Sequence, residues 1–207
     1  MRITKDPAVR KREIIETAKR LFEENGYNET KVIDITRAIN VAKGTFYHYF
    51  ASKEDVLEEI VNVTLEGFLM FAEQVKADTK LSGLEKINTL LFNDLLTDEV
   101  TQNAVEYLEI PSNRELQEKT AVATINRLTP YIVLFLEQGV KEGTVLKSDY
   151  LTEKVQLILS ASHFLIDSGL FPTDSNGNKR RRYVIMNSIE VLFGIKEGTF
   201  SKAFLID

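Results

Sequence analysis

Apolar residues recur at spacings of three and four along the chain, and no stretch alternates in the manner of a half-buried strand. The first segment opens at Asp6-Pro7, a proline suited to a first helical turn, and carries Ile14, Ala18, Leu21 and Phe22 until Asn25-Gly26 stops it. Thr30 is placed to cap a second helix whose buried stripe is Val32, Ile35, Ala38 and Ile39. Asn40 tolerates left-handed backbone and supplies a tight corner. A third helix over 42–49 turns Phe46 and Phe50 inward, which leaves Lys43, Thr45, Tyr47, His48 and Tyr49 on its other faces. Gly44, in the same helix, costs helix stability and permits close approach of another backbone.

Ser52, followed by Glu54 and Asp55, has the form of a helix cap with acids in the first turn. From there Val56, Leu57, Ile60, Val61, Thr64, Phe68, Phe71, Ala72 and Val75 keep helical phase over about six turns. This fourth helix joins an N-terminal head to the rest of the chain. Further segments follow: Leu84 to Leu95 after Ser82-Gly83, Val100 to Leu108 after Thr97-Asp98, and a long run over 114–142 that keeps phase through Pro130, with a bend expected near 126–130. Two more helices are expected over about 149–168 and 179–194. The pattern predicts an all-α protein of about nine helices: a three-helix head over 1–51 and a larger helical body over 52–207.

With 207 residues the chain can bury a core without staples, and it has no cysteine for a disulfide or a thiolate metal site. A charged N-terminus and the lack of an apolar run of ~18 residues point to a cytoplasmic protein with no membrane contact. The net charge of −5 is unevenly spread: residues 1–53 carry a balance of +4 and residues 54–207 one of −9. A basic head on an acidic body steers one face toward phosphate.

The string VAKGTFYHYFASKEDV, preceded by TKVIDITRAI, resembles the DNA-binding domain of the TetR family of bacterial repressors over about residues 8–60. Two positions depart from the family pattern: the corner, often glycine, is Asn40, and the small hydroxyl residue usual at the start of the recognition helix is Ala42. The resemblance implies that Lys43, Thr45, Tyr47 and His48 lie at a double-stranded DNA operator, the hydroxyls holding phosphate oxygens and the lysine and imidazole reaching base edges or backbone. Gly44 and Tyr49 complete that surface, Tyr49 having packing as its other reading. Thr30 and Lys31, and then Lys53, stand at helix starts where backbone N–H groups and a cation favour phosphate.

The family also implies a homodimer formed by the last two long helices. The first of these is apolar on most sides at Val155, Leu157, Ile158, Leu159, Phe164, Leu165 and Ile166, and these with Tyr183, Val184, Met186, Val191, Leu192 and Phe193 on the second are the interface candidates, Leu157, Phe164, Leu165, Tyr183, Met186 and Phe193 foremost among them. A small, largely apolar effector is expected among Phe68, Phe71, Leu91, Leu95, Tyr107, Ile125, Phe135 and His163. Lys179, Arg180, Arg181 and Arg182 read as a solvated or acid-paired run, far along the chain from the head. An enzyme is disfavoured: there are two histidines, no cysteine and no phosphate-binding loop after a strand. His163 with Asp167, and Glu106 with Glu109, have spacing that can hold a metal but more often satisfies local hydrogen bonds, so neither a metal nor a cofactor is expected. The other readings are a DNA binder that answers to no ligand, an architectural protein, or a metal-binding helical protein.

Overall fold

The computed structural model describes residues 6–92, 114–167 and 170–204, and every regular element among them is helical. They form eight α-helices: α1 Pro7–Asn25, α2 Val32–Ala38, α3 Lys43–Tyr49, α4 Lys53–Ala77, α5 Gly83–Phe92, α6 Arg114–Glu142, α7 Leu151–Ser162 and α8 Ser175–Phe193. A single π-helical turn, His163–Asp167, extends α7, and a short 3-10 helix, Ser201–Phe204, follows α8. The segment expected over 100–108 lies outside the described residues. Two compact units are present, Met1–Glu66 with Ala104–Thr120 (unit 1) and Gly67–Asn103 with Ala121–Asp207 (unit 2).

Local chemistry sets the ends of the helices in unit 1. Asp6 accepts the Ala8 N–H at 2.8 Å, Pro7 fills the first turn, and Gly26 leaves α1 at φ 84°. Ile14, Ala18 and Phe22 recur on the buried side of α1. Thr30 does not cap α2, contrary to expectation. Its hydroxyl donates to the carbonyls of Leu21 and Gly26 at 3.0 and 2.8 Å and so serves the end of α1, while Lys31 takes the cap position and Asp34 accepts its N–H at 2.9 Å. Asn40 sits at φ 53°, the left-handed corner its side chain tolerates. α4 opens with a reciprocal cap: Ser52 Oγ accepts the Asp55 N–H, and the Asp55 carboxylate takes the Ser52 hydroxyl and the N–H groups of Ala51 and Ser52. The Ser52 hydroxyl, and then the two backbone donors, outweigh desolvation and hold the Asp55 carboxyl below its usual range.

In unit 2, α5 crosses α6 at close range. A Cβ on Gly83 would stand 2.3 Å from the Phe135 carbonyl oxygen and 2.7 Å from the Gly139 nitrogen, so only glycine allows this approach. The buried ammonium of Lys86 donates to the Lys76 carbonyl at 3.1 Å, which closes the C-terminal end of α4. α6 runs unbroken through Pro130. α8 begins earlier than the periodicity suggests, because Asp174 accepts the Gly177 N–H at 2.6 Å and caps a polar first turn.

One buried carboxylate organises the C-terminal segment. Glu190 is 1% exposed and accepts from the N–H groups of Gly198 (3.0 Å), Phe200 (2.6 Å) and Ser201 (2.8 Å) and from the Ser201 hydroxyl (2.8 Å). Burial pushes this carboxyl up, but the four donors together outweigh burial and hold it below its ordinary value. A depressed folded-state pKa contributes stability that is full above the unfolded value of ~4.3 and is lost as pH falls through the folded one. Glu190→Gln is expected to cost about 2–3 kcal/mol at neutral pH, since an amide presents donors to donors. Denaturant titrations should show the gap from wild type narrowing below about pH 4; a gap that stays constant with pH would mean the group is not charged in the folded chain.

Candidate nucleic-acid interface

The outward face of α3 exists because its inward face is anchored. Phe46, Ile35 and Phe22 are fully buried, and the Phe46 and Phe50 rings are 6.0 Å apart. With that side fixed, Lys43, Gly44, Tyr47 and His48 are exposed, and Thr45 and Tyr49 are half-buried. The Lys43 ammonium stands 5.6 Å from the Tyr47 ring centroid, and the His48 and Tyr49 rings meet edge to face at 5.0 Å. Ala42 provides no side-chain cap, so the first N–H groups of α3 have no side-chain acceptor there.

Gly44 is the informative position. A Cβ built there would meet nothing within 4 Å. A helical glycine costs about 0.5–1 kcal/mol relative to alanine, and here no neighbour within the fold requires it. The fold itself therefore supplies no reason for the lack of bulk at this position.

The nearby cations divide into two groups. Arg10, Lys11 and Arg20 are paired with Glu13, Glu59 and Glu24 at 2.5, 2.6 and 3.0 Å. Lys31 and Lys43 are exposed and form no ion pair among the described residues. Arg12 is also exposed without such a pair, a cation that the surrounding run of charges conceals in the sequence.

Two residues expected at phosphate are used internally. Thr30 is 2% exposed, with its hydroxyl directed at α1 carbonyls. Lys53 donates to the carbonyls of Tyr27 (2.6 Å), Thr30 (3.0 Å) and Asn28 (3.5 Å), and its ammonium lies 4.0 Å from the Tyr27 ring centroid. It ties the α1–α2 turn to the start of α4.

Among the described residues of unit 2 the expected pocket residues have different settings. Phe135 is closed core; Phe68 and Phe71 pack half-buried against that core; Ile125 is half-buried; and His163 lies on the π turn, edge to face with Phe164 at 5.4 Å. Leu95 and Tyr107 lie outside the described residues, as do Glu106 and Glu109. Of the expected set only Leu91 lines the apolar void among α5, α6, α7 and α8, which measures about 20 Å³, the room of a single water. A separate open groove of about 420 Å³ runs along α6 and α7, bordered by Asn126, Pro130, Leu134, Glu137, Thr152 and Gln156.

The interface candidates also divide. Leu157 and Phe164 on the α7 side and Val184 and Val191 on α8 are more than half exposed, and Leu165 and Tyr183 are half-buried. Met186 and Phe193 have no surface to offer, because at 5% and 3% exposure they belong to the core that α8 shares with α6 and α7.

A short helix presenting a cation, hydroxyls and an imidazole after a left-handed corner is a helix-turn-helix DNA-reading surface. Residues 14–60 match the family of bacterial regulatory proteins called tetR, and residues 97–182 match the tetracyclin repressor-like C-terminal domain. The chain is 33% identical to the fatty acid metabolism regulator protein of Bacillus subtilis over 64% of its own length and 69% of that protein's. It is 29% identical to the transcriptional repressor KstR2 of Mycolicibacterium smegmatis, over 67% of its length and 68% of the relative's. It shares the fold of SmeT, the repressor of the Stenotrophomonas maltophilia multidrug efflux pump SmeDEF, with a TM-score of 0.62 at 17% identity over 92% of each chain. A complex of SmeT with triclosan gives a TM-score of 0.65 at 16% identity over 93% of this chain and 94% of that one. The protein belongs to the TetR family of helix-turn-helix transcriptional regulators. No helix among the described residues is long and apolar enough to cross a membrane.

Lys53→Met tests the division between clamp and contact residues. Removal of the charged hydrogen bonds should cost about 1.5–3 kcal/mol of stability, while the salt dependence of duplex binding stays as in wild type. A fall of ~0.9 in the log–log salt slope would return Lys53 to the phosphate surface.

Proposed function

We propose that this cytoplasmic regulator represses transcription by binding a palindromic operator as a homodimer and is released by a small, largely apolar effector. DNA reading is assigned to residues 1–51, and dimerisation and effector binding to residues 52–207. The carrying observation is the α3 face, where the exposed Lys43, Tyr47 and His48 flank a glycine that no neighbour requires. Contact residues are Lys31, Lys43, Gly44, Thr45, Tyr47, His48 and Tyr49. A dimer would set two α3 helices in successive major grooves about 34–36 Å apart.

Dimerisation is supported by the exposed Leu157, Phe164, Val184 and Val191, a set of large apolar side chains on one helix pair of unit 2. Repression and its release are supported by the relative named a repressor and by the triclosan complex of SmeT. The small apolar void bears on how an effector would act. A ligand of drug size needs hundreds of Å³, so to enter this void, as distinct from the open groove along α6 and α7, it would part the side chains of Leu91, Ile132, Leu136, Ile158 and Phe193. A ligand that fits only the parted state shifts the equilibrium toward it, and a change from 1:99 to 99:1 takes roughly 5.5 kcal/mol of differential affinity. Because α4 is one continuous helix from Lys53 to Ala77, any such displacement has a covalent path to the head.

Gly44→Ala is expected to raise the melting temperature, through a gain of about 0.5–1 kcal/mol, while weakening binding to a duplex selected from a random pool at least tenfold. Lys43→Ala with Tyr47→Phe should lower affinity and flatten its salt dependence. Unchanged affinity in both variants would remove α3 from the DNA. Leu157→Glu with Val191→Glu should convert a dimer to a monomer in sedimentation, and a wild-type monomer at micromolar concentration would exclude the dimer.

A further inference from the structure

The run of Lys179, Arg180, Arg181 and Arg182 lies in the first turns of α8, and one of the four has an internal role. Arg181 donates to the carbonyls of Leu165 and Phe171 at 2.9 and 2.5 Å, fastening the chain that follows α7 to α8. Lys179, Arg180 and Arg182 are exposed and have neither an ion pair nor a side-chain hydrogen bond among the described residues. The acid-paired reading of the run therefore does not hold for them. No acid occurs in α8 before Glu190, which is buried, and the nearby Asp174 is occupied as the helix cap.

Contacts within unit 2 locate the run. The Leu146 N–H donates to the Phe193 carbonyl at 3.0 Å, so the C-terminal end of α8 lies against the loop between α6 and α7. Arg181 holds Leu165, beyond the other end of α7, so the first turns of α8 lie at the opposite end of the unit. Residues 54–207 have a charge balance of −9, which makes most of the body repel a duplex. Lys179, Arg180 and Arg182 differ from the other exposed cations of unit 2 in standing together on one helix with no acid beside them, whereas Lys141, Lys147 and Lys196 are scattered among Glu142, Asp149 and Glu197.

We propose that Lys179, Arg180 and Arg182 make a second, sequence-independent contact with DNA phosphates when the head is bound to a duplex. This rests on the reading of the head as the DNA-binding element. Two of the three are arginines, whose planar fork matches phosphate oxygens in a bidentate way. The contact adds affinity and salt dependence but no base preference.

The test uses the full-length protein with two duplexes of equal length, one selected from a random pool and one unselected. Lys179, Arg180 and Arg182 are changed together to Gln; as these side chains lack internal partners, the circular dichroism spectrum and melting temperature should match wild type. Every phosphate that a bound cation no longer neutralises lowers the log–log salt slope by ~0.9, so the slope should flatten by about 2–3 per bound protomer for both duplexes, with their affinity ratio unchanged. A second variant, with Lys141, Lys147 and Lys196 changed to Gln, removes the same charge from exposed positions at the other end of unit 2 and should leave the slope nearly as in wild type. The proposal is overturned if the first variant keeps the wild-type slope, or if both variants flatten it equally, which would reflect net charge alone. Wild-type protein that binds neither duplex would overturn the head reading as well, whereas abolished binding in Lys43→Ala with an unchanged slope in the α8 variant would overturn only the second contact.

Discussion

The head depends on one ammonium group. Lys53 reaches back to the carbonyls of Tyr27, Asn28 and Thr30, in a turn whose backbone acceptors have no helix to satisfy them. A single cation with three donors can hold such a cluster where neutral side chains would need two or three separate placements. The same contact fixes the first residue of α4 against the α1–α2 turn, while the Ser52–Asp55 cap directs the helix away from it. The structure thus commits this lysine to joining the α1–α2 turn to the start of α4. Thr30 makes a parallel exchange, its hydroxyl committed to the end of α1.

On that base, α3 is asymmetric. Its inner side is aromatic and closed; its outer side has a cation, hydroxyls, an imidazole and an open position at Gly44. At the glycine a methyl group would fit the fold, and it would cover an open position on the outer side of the helix. The body shows the reverse arrangement. Gly83 is required by the α6 backbone itself, and a methyl there would force two helices apart.

Features set by neighbouring residues were legible in the sequence. The start of α1, the Asn40 corner, the inward Phe46 and the Ser52 cap each follow from residues within about one helical turn. The duties of Thr30 and Lys53 were not legible, because their partners lie 9 and 26 residues away and are selected only when helices pack. Met186 and Phe193 were misplaced for a different reason: a helix with apolar residues on two sides does not declare which side meets the core. Val184 and Val191 look the same in sequence and lie on the exposed side. Periodicity reports which faces are buried and is silent on whether the buried faces leave a gap, so it does not separate Phe135, in closed core, from Leu91, at the edge of a small void. Glu190 escaped notice because its four donors come from a segment without helical pattern.

That glutamate also bears on the order in which the chain can be completed. Until residues 198–201 have emerged from the ribosome, α8 carries a carboxylate at a position the finished body seals from water, with none of its hydrogen bonds yet made. The final packing of α8 must therefore wait for the tail, although the head, whose own clamp is complete at Lys53, can close much earlier in synthesis. A nascent chain would hold a formed head before residues 198–201 supply the donors that let α8 bury its carboxylate.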